Sequence, residues 1–532
     1  MEKIIIDERL KSLYYQGNHR TFVAVDAGKS CSIYYSEHSE SIDEARNYII
    51  NSPSLLNGKY HNQSIKVEKK SQIDIDDYFL EKNQRESDIQ LNADEEDSVK
   101  SKILNVLQEG VNLGASDIHI EIYARETLIK VRVDGRRKQI RSIPENLEGM
   151  RMASVLFMKM AKDKETDYKS NKVNNGNLVT QLNVKGTRRV TNWRVGWIPA
   201  INEGGKITLR WTDRNVKPPT REELNWERNH IKQSDEFIEG RPGLFIMAGQ
   251  TGSGKTTTIC SMIDSIDKSY SVHTIEDPPE FELDGVIQTH TKPHEKVSKD
   301  SHEYLDQTYY AKSLLRHDPD YEFHGELRTA EAAKEVMRKG ETGQKVFTTV
   351  HTSSPLGIPI TFIEQWGMSP ALVASPNLLR HLVYQVLVRQ ICPHCGLTLD
   401  EAMDSELLTD SEKTHLSSTI NKLVDEDSLT NEQTNNFRFK NPKGCNECIE
   451  GEKERLPLVE MIVVNDVDRE FIKSCDFLGW QKHLMANGYK TVRDHAIVRM
   501  KRGQVDLFTI EQKIGRLFEE DVSQINRSML DD

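Results

Sequence analysis

Nowhere in the 532 residues is there a run of eighteen apolar side chains, so the chain lacks a segment able to cross a bilayer as a helix. A secretory signal is missing as well, because the opening Met1-Glu2-Lys3-Ile4-Ile5-Ile6-Asp7-Glu8-Arg9 is too short in apolar residues and too charged. These two absences give the expectation of a soluble, cytoplasmic protein. Cysteine is scarce. Of seven, four stand in two C-x-x-C pairs, which points away from a disulfide framework and toward a metal site in a reducing compartment. No dense basic block exists. The 71 Lys and Arg are dispersed among 83 Asp and Glu, for a net charge of -12. That balance argues against bulk nucleic-acid binding and leaves room only for a local basic channel. Neither an internal repeat nor a long low-complexity tract is present, and the length suits about three or four domains of ~150 residues.

The first eighty residues alternate β-like runs, Thr21 to Val25 and Cys31 to Tyr35, with one helical pattern, Ile42 to Ile50, and read as a small α/β module (1–80). Residues 81–98 lose apolar periodicity and gather Glu, Asp, Asn and Gln, including Asp94-Glu95-Glu96-Asp97. They read as a solvated linker, with an acidic docking tail as the alternative. A helix is expected from Val99 to Leu113, stopped at Gly114. It leads into Ser116-Asp117-Ile118-His119-Ile120-Glu121 and then a β-rich stretch, Leu128 to Val133, with a turn at Asp134-Gly135. A further helix (Met150 to Lys162) and strands Leu178 to Val184, Arg188 to Val195 and Ile207 to Trp211 complete a second α/β domain, 99–211. Charge and Pro218-Pro219 mark 212–223 as the next linker.

Residues 249–256, Gly-Gln-Thr-Gly-Ser-Gly-Lys-Thr, match the phosphate-binding pattern G-x-x-x-x-G-K-[ST] at every position. An apolar run, Leu244 to Ala248, precedes it and an amphipathic stretch, Thr257 to Ile266, follows, the strand, loop, helix order the loop requires. The candidate nucleotide ligands are Gly249, Gln250, Thr251, Gly252, Ser253, Gly254, Lys255, Thr256 and Thr257. Backbone N–H groups of such a loop turn in on a β-phosphate, Lys255 reaches the β and γ oxygens, and the Thr256 hydroxyl can hold Mg²⁺. A nucleoside triphosphate is the implied ligand.

Downstream, Val272-His273-Thr274-Ile275 runs into Glu276-Asp277-Pro278-Pro279-Glu280, where the prolines end the strand and present three carboxylates at its C-terminal edge. A second cluster is Tyr321-Glu322-Phe323-His324-Gly325-Glu326-Leu327-Arg328, and a third strand, Val346 to Val350, ends at His351-Thr352. Taken one at a time, a solvated turn explains either acidic cluster better than chemistry does, and a lone histidine is more often structural than a phosphate sensor.

Together these segments resemble the secretion ATPases of type IV pilus assembly and type II secretion, over about residues 97 to 515. The family's carboxylate box is matched by Thr274 to Glu280, its Walker B region by Leu315-Arg316-His317-Asp318-Pro319-Asp320 followed by Gly325-Glu326-Leu327-Arg328, and its histidine box by Thr349-Val350-His351-Thr352 after Thr342-Gly343. The preceding domain is similar in Ser116 to Glu121 and in Arg132-Val133-Asp134-Gly135. The resemblance implies a PAS-like second domain, a RecA-like ATPase domain (224–390) and C-terminal helices (451–532). It implies that Glu280 polarises the attacking water, that Glu326 serves the Mg²⁺ side, and that Arg194 and Arg210 reach the triphosphate, while His351, by its place at a strand edge, is a candidate sensor of the γ-phosphate. Either arginine could equally be a solvated strand residue. Two departures mark a divergent member. Glu322 and His324 interrupt a Walker B strand that is otherwise apolar in the family, which challenges its burial or its hydrolysis rate. Asn171 to Asn177 replaces the family's Leu-Pro-Gln-Asp-Gly-Arg stretch.

Cys392-Pro393-His394-Cys395 and Cys445-Asn446-Glu447-Cys448 each offer two thiolates at a turn, and four thiolates make a closed tetrahedral Zn²⁺ site, with a redox pair as the rival. Assembly-type members of the same family carry such an element (391–450 here) after a segment resembling Leu387 to Cys392. The function implied is a cytoplasmic ATP-hydrolysing motor, a hexamer, driving an inner-membrane platform protein and peripheral to that membrane through it. The alternatives are a slowly hydrolysing nucleotide-binding scaffold and, opposed by the acidic composition, a nucleic-acid translocase.

Overall fold

The computed structural model describes residues 3–5, 7, 9–10, 13, 22–37, 40–71, 74–75, 93–162, 168–201, 204–212, 217–426 and 429–518. The chain divides into two units, Met1–Thr212 and Asp213–Asp532. Most of the expected acidic linker, and residues 213–216 of the linker expected over 212–223, lie outside the described residues.

In the first unit, strands β1 (Lys3–Ile4), β2 (Phe22–Asp26), β3 (Cys31–Tyr35) and β4 (Lys66–Lys69) form a sheet in sequence order. β3 and β4 are parallel, a pairing that needs a crossover. The helix Glu40–Asn51 lies in that connection and buries Ile42, Ala45 and Ile49, spaced for one helical face.

The second sheet of this unit has six antiparallel strands, β5 (Asp117–Ile122), β6 (Thr127–Val133), β7 (Arg136–Ile143), β8 (Asn174–Val184), β9 (Thr187–Pro199) and β10 (Gly205–Trp211), in the order β7-β6-β5-β10-β9-β8. Alternation along β5 sends Ile118, Ile120 and Ile122 into a core shared with Trp193, Trp197 and Leu209, and leaves Asp117, His119 and Glu121 on the other face. The helix over that core runs Ala93–Asn112 and so begins six residues before the expected start at Val99. Asp94, Glu95 and Glu96 occupy its first turn, where carboxylates meet the positive end of the helix dipole, and Glu96 pairs with Lys100 one turn on at 2.7 Å. The acidic run is thus a helix start. The helix expected over Met150 to Lys162 is Leu147–Val155 followed by a wider π turn, Leu156–Met160.

The second unit is built on a seven-stranded sheet: β11 (Gly243–Ala248), β12 (Val272–Glu276), β13 (Ile287–His290), β16 (Tyr321–His324), β17 (Lys345–Val350), β18 (Leu379–Ile391) and β19 (Glu452–Val463), with β14 (Lys292–Lys296) and β15 (Tyr304–Leu305) forming a separate hairpin. Its order is β13-β12-β16-β17-β11-β18-β19; every pairing is parallel except that of β18 with β19. β11 is buried throughout, as a central parallel strand covered on both faces must be. Residues 452–463, expected at the head of a C-terminal helical region, instead form the antiparallel edge of this sheet; helices follow only from Asp466.

Candidate functional site

The order β12-β16-β17-β11 puts the carboxylate box, the Walker B end, the histidine box and the phosphate loop at the C-terminal edges of four consecutive strands. That edge is where parallel α/β sheets bind ligands. The phosphate loop leaves β11 at Gly249 and enters the helix Lys255–Asp264 at Gly254, whose φ of 82° lies in the left-handed region that only glycine adopts freely. The helix N-terminus behind it supplies free N–H groups and a positive dipole end.

Lys255 is buried, and its Nζ donates to the carbonyls of Gly249 at 2.8 Å and Gln250 at 3.1 Å. Burial pulls the amine below the usual lysine range, against the opposing charges of Glu326 and Glu280. His351, at the end of β17, points Nδ1 at the Gly249 carbonyl (3.1 Å) and pairs through Nε2 with Glu326. Glu326 also accepts from Arg328 Nε at 2.9 Å. Three of the sequence-derived residues, Lys255, Glu326 and His351, are therefore held together around the Gly249 carbonyl. Thr256 and Thr257 stand half-buried in the first turn of the helix.

The carboxylate box does not present all three of its acids. Glu276 is buried, with Oε1 accepting from Thr274 at 2.6 Å and Gln288 at 3.2 Å, and with no hydrogen-bond partner at Oε2. Burial raises its pKa against those two bonds. Glu280 is exposed, on a loop that Gln288 pins by donating to the Phe281 carbonyl (3.0 Å) and accepting from Leu283 N–H (2.9 Å).

The interruption of the Walker B strand has a structural answer. β16 is buried at every residue, and Glu322 and His324, two apart and so on one face, both meet Lys339 of the helix Ala330–Glu341 or its partner. Lys339 Nζ donates to both Glu322 oxygens, at 2.7 and 2.6 Å, and His324 Nε2 bonds Glu322 at 2.7 Å. All three side chains have no exposed surface. The strand keeps its burial by pairing its charges.

In the first unit, Arg194 and Arg210 are register partners across β9 and β10, on the face opposite the core. Arg210 Nε donates to Asp117 at 2.8 Å. Burial alone would raise the Asp117 carboxyl, but the bond and charge of Arg210 outweigh it and hold the pKa low. Sequence reasoning missed Arg455 on β19, whose guanidinium reaches the Gly252 carbonyl at 3.5 Å, because the strand itself was not legible.

The four cysteine sulfurs converge within 4.8 Å of one another. Cys392–Cys445 and Cys395–Cys448 are 3.7 and 3.6 Å apart, too far for a disulfide and close to the ~3.8 Å edge of a tetrahedron with Zn–S bonds of about 2.3 Å. Cys392 directly follows β18 and Cys448 lies just before β19, while the chain between them forms helices whose threonine caps, Thr398, Thr409 and Thr430, each close a capping box. The donor set and spacing fit zinc. Cys445→Ser is expected to lower bound zinc from about one per chain toward none, read by atomic emission, and to lower the unfolding midpoint, because a structural zinc contributes folding free energy.

A phosphate loop and three acidic or histidine boxes on one edge of a mostly parallel sheet define a RecA-like P-loop ATPase, here with a tetracysteine insertion. A family model described as type II/IV secretion system protein matches residues 92–520, and the chain belongs to that family. It is 27% identical over 439 residues to the type II secretion system ATPase E of Vibrio cholerae, covering 82% of this chain and 79% of that protein. It is 26% identical over 455 residues to the type IV pilus assembly ATPase PilB of Thermus thermophilus, covering 82% of this chain and 45% of the relative. The X-ray structure of the Legionella pneumophila ATPase DotB aligns with a TM-score of 0.52 at 18% identity over 76% of this chain and 93% of that one, a likeness of fold.

Proposed function

We propose that this ATPase is the hexameric, cytoplasmic motor of a type IV pilus assembly or type II secretion machine, acting on an inner-membrane platform protein. The observation that carries the reading is the convergence of Lys255, Glu326 and His351 around the phosphate loop, with the Glu280 loop following β12, the strand beside β16. In this reading residues 249–257 hold the triphosphate and Thr256 takes Mg²⁺, whose role is to neutralise charge on the transferred phosphoryl group. Glu280 orients the attacking water, Glu326 supports the metal side, and His351 senses the γ-phosphate through its link to Gly249. Arg194 and Arg210 are the guanidinium groups assigned to neutralise triphosphate charge, and the tetracysteine cluster holds a structural zinc. The domains divide as 1–80, a second domain from the helix Ala93–Asn112 to residue 211, an ATPase domain of 224–390 completed by β19 (Glu452–Val463), the tetracysteine element 391–450 inserted in it, and C-terminal helices from Asp466. No helix among the described residues is long and apolar enough to cross a membrane.

Steady-state ATPase activity of the zinc-loaded protein, measured beside Lys255→Ala, tests the reading. Turnover that Lys255→Ala abolishes supports a motor. A wild type that binds ATP through Lys255 and does not turn it over, even with a platform protein added, would favour a scaffold.

A further inference from the structure

β18 carries one amide, Gln385, within the otherwise apolar stretch from Leu382 to Val388. It is 2% exposed, so its polar atoms must find partners inside the protein. They do so in three separate places. Oε1 accepts from Trp226 Nε1 at 3.0 Å and from Thr258 Oγ1 at 3.2 Å, and Nε2 donates to the Ser253 carbonyl at 2.7 Å. Two donors face the oxygen and a carbonyl faces the nitrogen, so the amide has a single workable orientation. The loop lies against this residue at both ends: a Cβ on Gly249 would fall 2.5 Å from the Gln385 carbonyl oxygen, and one on Gly254 would fall 3.0 Å from Nε2.

The bond to Ser253 has a geometric consequence. A trans peptide is planar, with its C=O and the following N–H directed oppositely. Holding the Ser253 carbonyl onto Gln385 therefore turns the Gly254 N–H away from β18, toward the side on which a phosphate loop gathers its N–H groups round an anion. We propose that Gln385 is a positioning residue for nucleotide binding, setting the anion-binding conformation of the loop through Ser253 while being held in turn by Trp226 and Thr258. This rests on the reading of residues 249–256 as the nucleotide site.

The test uses the full chain, binding of a fluorescent ADP analogue with Mg²⁺, and ATPase kinetics. Gln385→Glu keeps the size and both accepted bonds but sets a carboxylate oxygen against the Ser253 carbonyl. The expected result is a nucleotide Kd at least about tenfold weaker and a KM for ATP raised in parallel, with kcat lowered less than about threefold. A Kd within twofold of wild type (~0.4 kcal/mol), or a fall in kcat with KM unmoved, would overturn the proposal. Should Gln385→Glu not fold, Trp226→Phe and Thr258→Val decide, each removing one donor to the amide and leaving the loop sequence intact. A weakened Kd in both supports the role, and an unchanged Kd in both sinks it. A wild type that does not bind nucleotide, or that binds it no better than Lys255→Ala, defeats the underlying site assignment instead.

Discussion

Glu280→Gln is expected to lower ATP turnover by about 10²- to 10⁴-fold while nucleotide binding stays near wild type, the range lost when a positioned general base is removed. The glutamine keeps the shape and loses the ability to take a proton from water. The matching change four residues earlier, at the end of the strand leading to it, Glu276→Gln, is expected to leave turnover near the wild-type rate. Glu276 is buried and both its hydrogen bonds, from Thr274 and Gln288, fall on Oε1, so the amide keeps that acceptor oxygen and removes a charge that burial disfavours. Steady-state turnover and fluorescent-nucleotide binding on the two variants separate the carboxylates. Equal losses in both would assign the box a shared structural role and remove Glu280 as the base.

Lys339→Met is expected to destabilise the second unit by about 3–5 kcal/mol, because it strands the Glu322 carboxylate without its cation in a site with no exposed surface. Chemical denaturation of the two proteins at pH 7 measures it. The triple variant Glu322→Leu, His324→Val, Lys339→Met is expected to recover most of the loss, since a buried ion network is often no more stable than an apolar replacement. The pH dependence has a definite sign. Burial by itself would raise the Glu322 carboxyl, but the His324 bond and the Lys339 charge outweigh it, so the folded group titrates below its ordinary 4.5. Its contribution is full above about pH 4.5 and is lost as pH falls through the folded value. The gap between wild type and Lys339→Met should therefore close in acid. A gap unchanged down to pH 3 would mean that the carboxylate is not what the lysine stabilises.

The residues of the four boxes were legible because each depends on a short stretch: an apolar strand, then a turn, then the functional side chain. β11, β12 and β17 fall within a residue or two of the runs that announced them, and β16 is the first half of the cluster Tyr321 to Arg328. What was not legible depends on distant partners. Glu322 and His324 looked like interruptions because Lys339, which neutralises them, sits on the following helix and carries no local signal of burial. β5 hid in plain alternation: Asp117 and Glu121 are buried by pairing with Arg210 and Lys130 on neighbouring strands, while His119 between them is buried with neither ring nitrogen hydrogen-bonded. Gln385 had one available signal, a lone amide in an apolar run, which in a strand implies a buried partner to be found elsewhere. β19 had an apolar run, Leu456 to Val464, but Pro457 and Glu460 break it and its partner strand lies on the far side of the cysteine insertion.

That insertion bears on how the sheet is completed. Arg389 on β18 bonds Glu452 on β19 across 63 positions of sequence, so the last pairing of the sheet is a long-range event that an unassisted chain reaches late. The cysteines face one another across 53 positions just outside that pairing, Cys392 beside Cys445 and Cys395 beside Cys448. A metal bound there before β19 docks would hold the two strand ends together and reduce a wide conformational search to the closing of a short hairpin. Refolding of the ATPase sheet should then be paced by free zinc, and the helices between the knuckles could lengthen or shrink across related chains with little effect on that pace.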